Sequence, residues 1–208
     1  MTDTTPVDLW FDPFCPFAWV TSRWLLEVEK VRPIEPRWRI MSLEVLNENK
    51  DVSDDYRARA TEGTKLIRVI AAAGAKHGEE YLGRLYTEVG TRIHNEGRGK
   101  DRTPEVLRAI AAESLQAVGL GEELLDAMDS TEYDDAIRAS HEEGITLVGQ
   151  EVGTPIIRVG ANAFFGPVIT RILRGEDAGR LWDGVLLTTE FDDFFELKRT
   201  RTKRPQFD

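Results

Sequence analysis

The sequence predicts an α/β fold in which a parallel strand, helix, strand unit opens the chain, a long all-helical stretch interrupts it, and a hairpin with one further helix completes it. Three observations carry this. Strand-like apolar runs occur near both ends of the chain, strand-like runs are nearly absent from its middle, and a length of 208 residues suits one domain with a large insertion better than two large domains.

"VDLWFD" (7–12) is a compact apolar run that stops at Asp12-Pro13, so it reads as a strand followed by a turn. From Pro16 onward, Phe17, Val20, Trp24, Leu25 and Val28 recur at helical spacing and predict a helix to about Val31. "PRWRIMSL" (36–43) reads as the second strand, reached through "RPIEP". Two strands joined by a helix in so short a span suggest a parallel βαβ unit. Between Asp54 and about Gly149, five segments (54–78, 79–97, 103–119, 121–130 and 131–149) each carry apolar residues on one face and end near glycine or polar turns. Thr103 and Pro104 form an N-cap and first-turn pair for the third of them. "TPIIRVG" and "NAFFG" then read as a hairpin and "EDAGRLWDGVLLTTE" as a closing helix. The expected organisation is a domain split into 1–53 and 150–208, with a helical insertion over 54–149.

Thirty-seven acidic residues against 27 basic ones give a formal charge of −10, which opposes binding to a phosphate backbone, so nucleic acid is not an expected partner. One cysteine cannot make an internal disulfide, and "MTDTTPVDLWF" lacks the charged and apolar regions of a secretory signal. No run approaches the roughly 20 apolar residues that span a bilayer. The expected setting is therefore reducing and cytoplasmic, with no membrane partner. Metal chemistry is not expected from three scattered histidines and one cysteine, because "HEEGI" lacks a second histidine at zinc-binding spacing. "GRGKD" likewise lacks the glycine spacing of a phosphate-binding loop.

The chemistry concentrates in "FDPFCPFAWV" (11–20). If the helix starts at Pro16, Cys15 is its N-cap, and the N–H groups of Phe17 and Ala18 point back at the sulfur. A thiolate at the positive end of a helix dipole is expected to have a pKa below the free-cysteine value of about 8.5, and a reachable thiolate is a nucleophile. The plain alternative is a buried cysteine serving as a small hydrophobe. Ala18 stands where a second cysteine would complete a Cys-x-x-Cys pair, so the sulfur would have to be capped and released by an external small thiol. Phe17 is expected to be a partly exposed aromatic plate beside the sulfur, and Trp19 a core residue. "VGTPII" places Thr154-Pro155 at the start of a strand after a helical stretch. In the thioredoxin fold a cis-proline facing the active-site sulfur holds that place, and a cis bond is expected here.

"DPFCPFAWVTSRWLLEV", "MSLEVLNEN", "RIHNEG", "VGTPII", "AFFGPV" and "FFELKRTRT" together resemble the actinobacterial DsbA-like oxidoreductases grouped as mycothiol-dependent nitroreductases, and the likeness covers nearly the whole chain. It implies a thioredoxin fold interrupted by a helical domain, a cytoplasmic setting, and electrons taken from the small thiol mycothiol. Well-known members carry Cys-Pro-x-Cys, so Ala18 is a departure. The resemblance makes Cys15 the nucleophile. Pro16, Phe17, Ala18, Thr154 and Pro155 become the seat of the small thiol, and Asn47 and Tyr56 part of the substrate pocket. The acceptor would be a small molecule of disulfide, nitro or quinone type.

His94, in "RIHNEG" at the end of the second inserted helix, is the best histidine for general acid work, although a histidine near a helix C-terminus is often merely favoured by the dipole. His77 and His141 are expected at the surface. The basic run "KRTRTKR" (198–204) is expected to be solvated or to dock on the acidic helical stretch of this chain or on a partner. Two rival readings stand beside the oxidoreductase. One is a kappa-type glutathione transferase or chromene-carboxylate isomerase, against which Cys15 speaks because those enzymes carry serine there. The other is a non-catalytic binding module or holdase.

Overall fold

The computed structural model describes residues 4–208. Strand β1 (Thr5–Phe11) lies parallel to β2 (Ile34–Ile40), and β3 (Ile156–Val159) and β4 (Asn162–Phe165) follow antiparallel on its other side, giving the order β2-β1-β3-β4. Residues Val7 to Phe11 of the central strand are all buried, which is why it reads as a continuous apolar run. Asp8 is the polar exception. Its carboxylate bridges Arg39 of β2 at 3.0 Å and Arg158 of β3 at 2.7 Å, an ion triad across three neighbouring strands.

The second strand starts earlier than its sequence pattern suggests, at Ile34, and encloses Pro36. β2 is an edge strand, so the missing proline N–H costs no ladder bond. The same strand ends at Ile40, because Ser42 caps a short helix α2 (Leu43–Asn47) by accepting a hydrogen bond from the Val45 N–H at 3.3 Å. Asn47 is the last residue of that helix.

Helix α1 (Pro16–Glu29) joins β1 to β2, and α7 (Gly175–Thr188) packs beside it. Between them and the sheet lies a core of Val7, Leu9, Trp24, Val28, Ile157 and Trp182. The helical insertion comprises α3 (Asp54–His77), α4 (Glu80–Gly90) running on into a π turn (Thr91–Asn95), α5 (Pro104–Val118), a 3-10 stretch (Glu122–Asp129) and α6 (Asp134–Val148). Thr103 caps α5 as its sequence predicts, accepting from the Val106 N–H at 3.4 Å. Two segments thus differ from regular α-helix: the fourth is 3-10, and the second changes pitch at Gly90.

The insertion shares its core with the sheet domain. Phe11, Phe14, Ala18, Trp19 and Ile40 pack in one buried cluster with Ile70, Leu85, Tyr86, Leu107 and other residues of the inserted helices. Three indoles key the two parts together. Trp38 lies over Gly83 of α4, Trp19 over Gly90 of α4, and Trp10 over Gly144 of α6, each so close that a Cβ on the glycine would collide with the ring. His141, expected at the surface, is buried on the face of α6 that carries Ile137, Gly144 and Ile145, and its Nδ1 accepts the Ser42 N–H at 3.4 Å. The polar neighbours in "SHEEG" hide the fact that positions four residues away on both sides are apolar.

A Gly90→Ala substitution is therefore expected to destabilise the protein by about 1–3 kcal/mol, because the Trp19 indole must shift within a filled core. Urea unfolding would measure it. Unchanged stability would mean that the indole has room to move.

Candidate active site

The loop Asp12-Pro13-Phe14 delivers the chain from β1 to α1, and Asp12 organises it. One carboxylate oxygen accepts the Phe14 N–H at 2.8 Å, the other accepts the Leu43 N–H of α2 at 2.7 Å, and the Asp12 carbonyl accepts the Cys15 N–H at 3.0 Å. Full burial pushes the Asp12 carboxyl up to about 6 against these hydrogen bonds. The "DP" dipeptide signals a turn in the sequence, but nothing there shows that its carboxylate would tie two elements together.

Cys15 occupies the N-cap position with extended backbone, and its sulfur accepts the Ala18 N–H at 3.4 Å. On its other side the thiol donates to the Thr154 carbonyl at 3.2 Å, while the Thr154 hydroxyl donates to the Trp10 carbonyl at 2.6 Å. The Thr154–Pro155 bond is cis, as expected; Gly166–Pro167 is also cis, which the sequence reading passed over. Pro16 and Phe17 are half-buried, Thr154 and Pro155 buried, and the Ala18 methyl lies wholly in the core.

The expected activation of the thiol is reversed. Cys15 is 6% exposed and belongs to the apolar cluster that joins the sheet to the inserted helices. That burial pushes its pKa up to about 11, outweighing the Ala18 N–H, and the charge of Asp12 acts in the same upward direction. The N–H of Phe17 and the guanidinium of Arg201 pull weakly the other way. The helix-terminus geometry is as the sequence suggests. The helical cover that desolvates the sulfur is not visible in the local motif.

Asn47 and Tyr56 come together as a pair. The Asn47 amide donates to the Tyr56 hydroxyl at 3.0 Å and to the Leu43 carbonyl at 2.8 Å. They line a cleft of about 300 Å3 with Ser42, Arg68, Asp134 and Arg138, between α2, α3 and α6. Cys15 does not line it; burial foremost, then the charges of Asp12 and Cys15, raise the Tyr56 pKa, with Arg102 opposing them.

His94 is placed differently from a general acid. Its Nε2–H donates to the Pro13 carbonyl at 2.8 Å, its ring stacks 5.6 Å from that of Trp19, and burial pushes its pKa down to about 4. A histidine neutral at pH 7 with its proton committed to a backbone carbonyl holds the cysteine loop in place and has no proton ready to give. Sequence reasoning also missed Arg102, which lies over the Phe14 ring at 3.8 Å and donates to the Arg59 carbonyl at 2.6 Å.

A family model described as "Rv2466c-like: Mycothiol-dependent nitroreductase Rv2466c" matches residues 14–199. The chain belongs to this family. Its members' chemistry makes it a thiol-dependent oxidoreductase. The chain is also 32% identical over 200 residues to the uncharacterized protein Rv2286c of Mycobacterium tuberculosis (strain ATCC 25618 / H37Rv), covering 95% of this chain and 83% of that one. The probable DsbA oxidoreductase SCO1869 of Streptomyces coelicolor superposes with a TM-score of 0.56 at 18% identity, covering 95% and 94% of the two chains. The cytosolic disulfide reductase DsbM of Pseudomonas aeruginosa with GSH gives 0.55 at 16% identity over 88% and 99%. At such identities these structures show the fold, a thioredoxin fold with a helical insertion.

With the thiol buried, alkylation of Cys15 by iodoacetamide should rise with pH without a plateau below about 9, since the thiolate is disfavoured by burial. Rates followed from pH 6 to 10 by mass spectrometry test this. An inflection below the free-cysteine value of about 8.5 would mean that the sulfur is far better solvated than the structure shows.

Proposed function

We propose that the protein reduces its acceptor by a monothiol cycle at Cys15, with mycothiol as the small-thiol co-substrate. The observation that carries this reading is the placement of the chain's single sulfur. It lies between the Ala18 N–H and the Thr154 carbonyl, with a methyl group where a resolving cysteine would stand. The backbone at Thr154-Pro155 and the half-buried ring of Phe17 offer a seat for a thiol approaching that sulfur. Asn47 and Tyr56 offer hydrogen bonds to the acceptor.

The cycle balances without a second protein sulfur. The Cys15 thiolate attacks the mixed disulfide formed between the acceptor and one small thiol. The Cys15–sulfur bond to the small thiol forms, and the acceptor leaves as a thiolate that takes a proton. A second small thiol, as its thiolate, then attacks the small-thiol sulfur of this adduct, releasing Cys15 and a symmetric small-molecule disulfide. Two thiols supply the two electrons. For a nitro acceptor, which has no sulfur to carry a mixed disulfide, the overall balance is the same: two small thiols become one disulfide, nitro becomes nitroso, and one oxygen leaves as water.

Turnover is expected to stay dependent on small-thiol concentration, with an adduct of one thiol accumulating on Cys15 when that thiol is scarce. Intact-protein mass spectrometry would detect it. Restoring a partner by Ala18→Cys should give an intramolecular disulfide and weaken the concentration dependence, because the two sulfurs would lie within one helical turn. A rate indifferent to small thiols in the unaltered protein, with no adduct at Cys15, would exclude the monothiol cycle.

Tyr56→Phe removes one hydroxyl, bonded to Asn47, from a residue that is 38% exposed, so it should raise KM several-fold while leaving the melting temperature nearly unchanged. Equal kinetics in the two proteins would assign Tyr56 to structure alone.

A further inference from the structure

The basic run at 198–204 is held against the active site. Beyond the turns that follow α7 the chain forms neither helix nor strand, yet it is tied to the fold at four points. The Gln206 N–H donates to the Thr170 carbonyl at 2.9 Å, and the Asn95 amide donates to the Phe207 carbonyl at 2.6 Å. The Phe207 ring lies 5.1 Å from that of His94, and the Arg201 guanidinium sits over the Phe17 ring at 4.9 Å. Three of the four anchors lead back to the cysteine loop or its helix. Phe17 is two residues from Cys15, His94 holds the Pro13 carbonyl of the cysteine loop, and Asn95 accepts from the Trp19 indole at 3.1 Å.

This strap carries Lys198, Arg199, Arg201, Lys203 and Arg204, all exposed. Among the described residues none of the five is in an ion pair, whereas arginines of the helical insertion are matched to carboxylates, as in Arg68 with Asp134, Arg98 with Glu113 and Arg138 with Glu48. In a chain of formal charge −10, unpaired cations anchored at one mouth make a local positive field within a Debye length of about 8–10 Å. Such a field raises the local concentration of anions against the repulsion of the whole protein.

We propose that residues 198–208 are part of the active site, a strap whose unpaired cations, Arg201 foremost, recruit to Cys15 acceptors that carry a carboxylate or another anionic group. The inference rests on Cys15 being the nucleophile of the proposed cycle. Arg201 is its specificity-determining residue, because stacking on Phe17 holds the guanidinium beside the entry to the sulfur.

The test uses two reporter disulfides, the dianionic 5,5′-dithiobis(2-nitrobenzoate) and the neutral 4,4′-dithiodipyridine. In each reaction the Cys15 thiolate attacks one reagent sulfur, the reagent's disulfide breaks, a mixed disulfide forms on Cys15, and one aromatic thiolate leaves and absorbs light. The ratio of the two rates cancels any change in the thiolate fraction and reports charge at the mouth. Arg201→Gln should lower the anionic-to-neutral ratio several-fold, Arg201→Lys should keep it, and salt at about 0.5 M should depress it in the unaltered protein. Phe207→Ala, which removes the ring packed on His94 and releases the strap, should lower it as well. An unchanged ratio in Arg201→Gln overturns the inference, as does an equal fall in Arg201→Lys. So does equal acceleration of both reagents in Phe207→Ala, which would make the strap a steric cover only. Reaction of the unaltered protein with neither disulfide overturns the proposed function and the inference together. An unchanged ratio in Arg201→Gln with normal Cys15 reactivity overturns the inference alone and leaves the proposed function standing.

Discussion

The packing of indole rings on helical glycines is the constraint from which most of this structure follows. Trp10, Trp19 and Trp38 project from β1, α1 and β2, and each finds a glycine on an inserted helix where no Cβ intervenes. Large flat surfaces bury the most apolar area per side chain, but they demand a flat counterpart, and a glycine in a helix supplies one at a cost of about 1 kcal/mol in helix propensity. Phe11 stacks on Tyr86 at 3.8 Å in the same cluster, and Trp19 meets Tyr86 edge-on at 5.5 Å, so the aromatic layer is continuous from the central strand into the insertion. The helices are thereby fixed as a second wall of one core.

That docking decides the state of the sulfur. A helix N-terminus alone favours a thiolate, and the Ala18 N–H is in place to do so. The aromatic and aliphatic wall that the insertion brings against Phe14, Ala18 and Trp19 removes water from Cys15, and desolvation is the larger effect. The resting cysteine is thus a protonated donor to the Thr154 carbonyl. In the proposed cycle this thiol must lose its proton before it attacks a disulfide sulfur, on a route that the proposed strap brings past Phe17. Arg201 stands on that route, and its charge works against the desolvation.

The parts of the fold legible in the sequence were those set by local pattern. The buried run of β1 and the cap and first turn of α1 follow from alternation, capping residues and proline placement, as do the closing hairpin and most of the inserted helices. Its errors share one cause, contact between residues distant in the chain. His141 looks like a surface residue because its sequence neighbours are polar, yet α6 turns it toward Ser42. The thiol looks activated because its own helix would activate it, and the insertion that buries it lies beyond residue 53. The basic tail reads as solvated and its cations are exposed, but only the contacts of Gln206, Phe207 and Arg201 reveal where it lies. Asn47 and Tyr56 were each placed in the substrate pocket on resemblance, and nothing in their spacing would have brought an amide onto a hydroxyl nine residues away.

Asp12 and His94 both hydrogen-bond the cysteine loop, and burial drives both toward their neutral forms. For Asp12, with a native pKa of about 6 against an ordinary 3.8, the folded state binds its proton more tightly, so this group's contribution to stability falls as pH rises through that window. For His94, at about 4 against 6.5, the unfolded state binds the proton more tightly, and its contribution is complete above 6.5 and lost as pH falls toward 4. The two slopes have opposite sign over nearly the same range. Acidification therefore places a charge on a buried imidazole while it relieves the buried charge of Asp12, so over this range the two groups' effects on stability oppose each other.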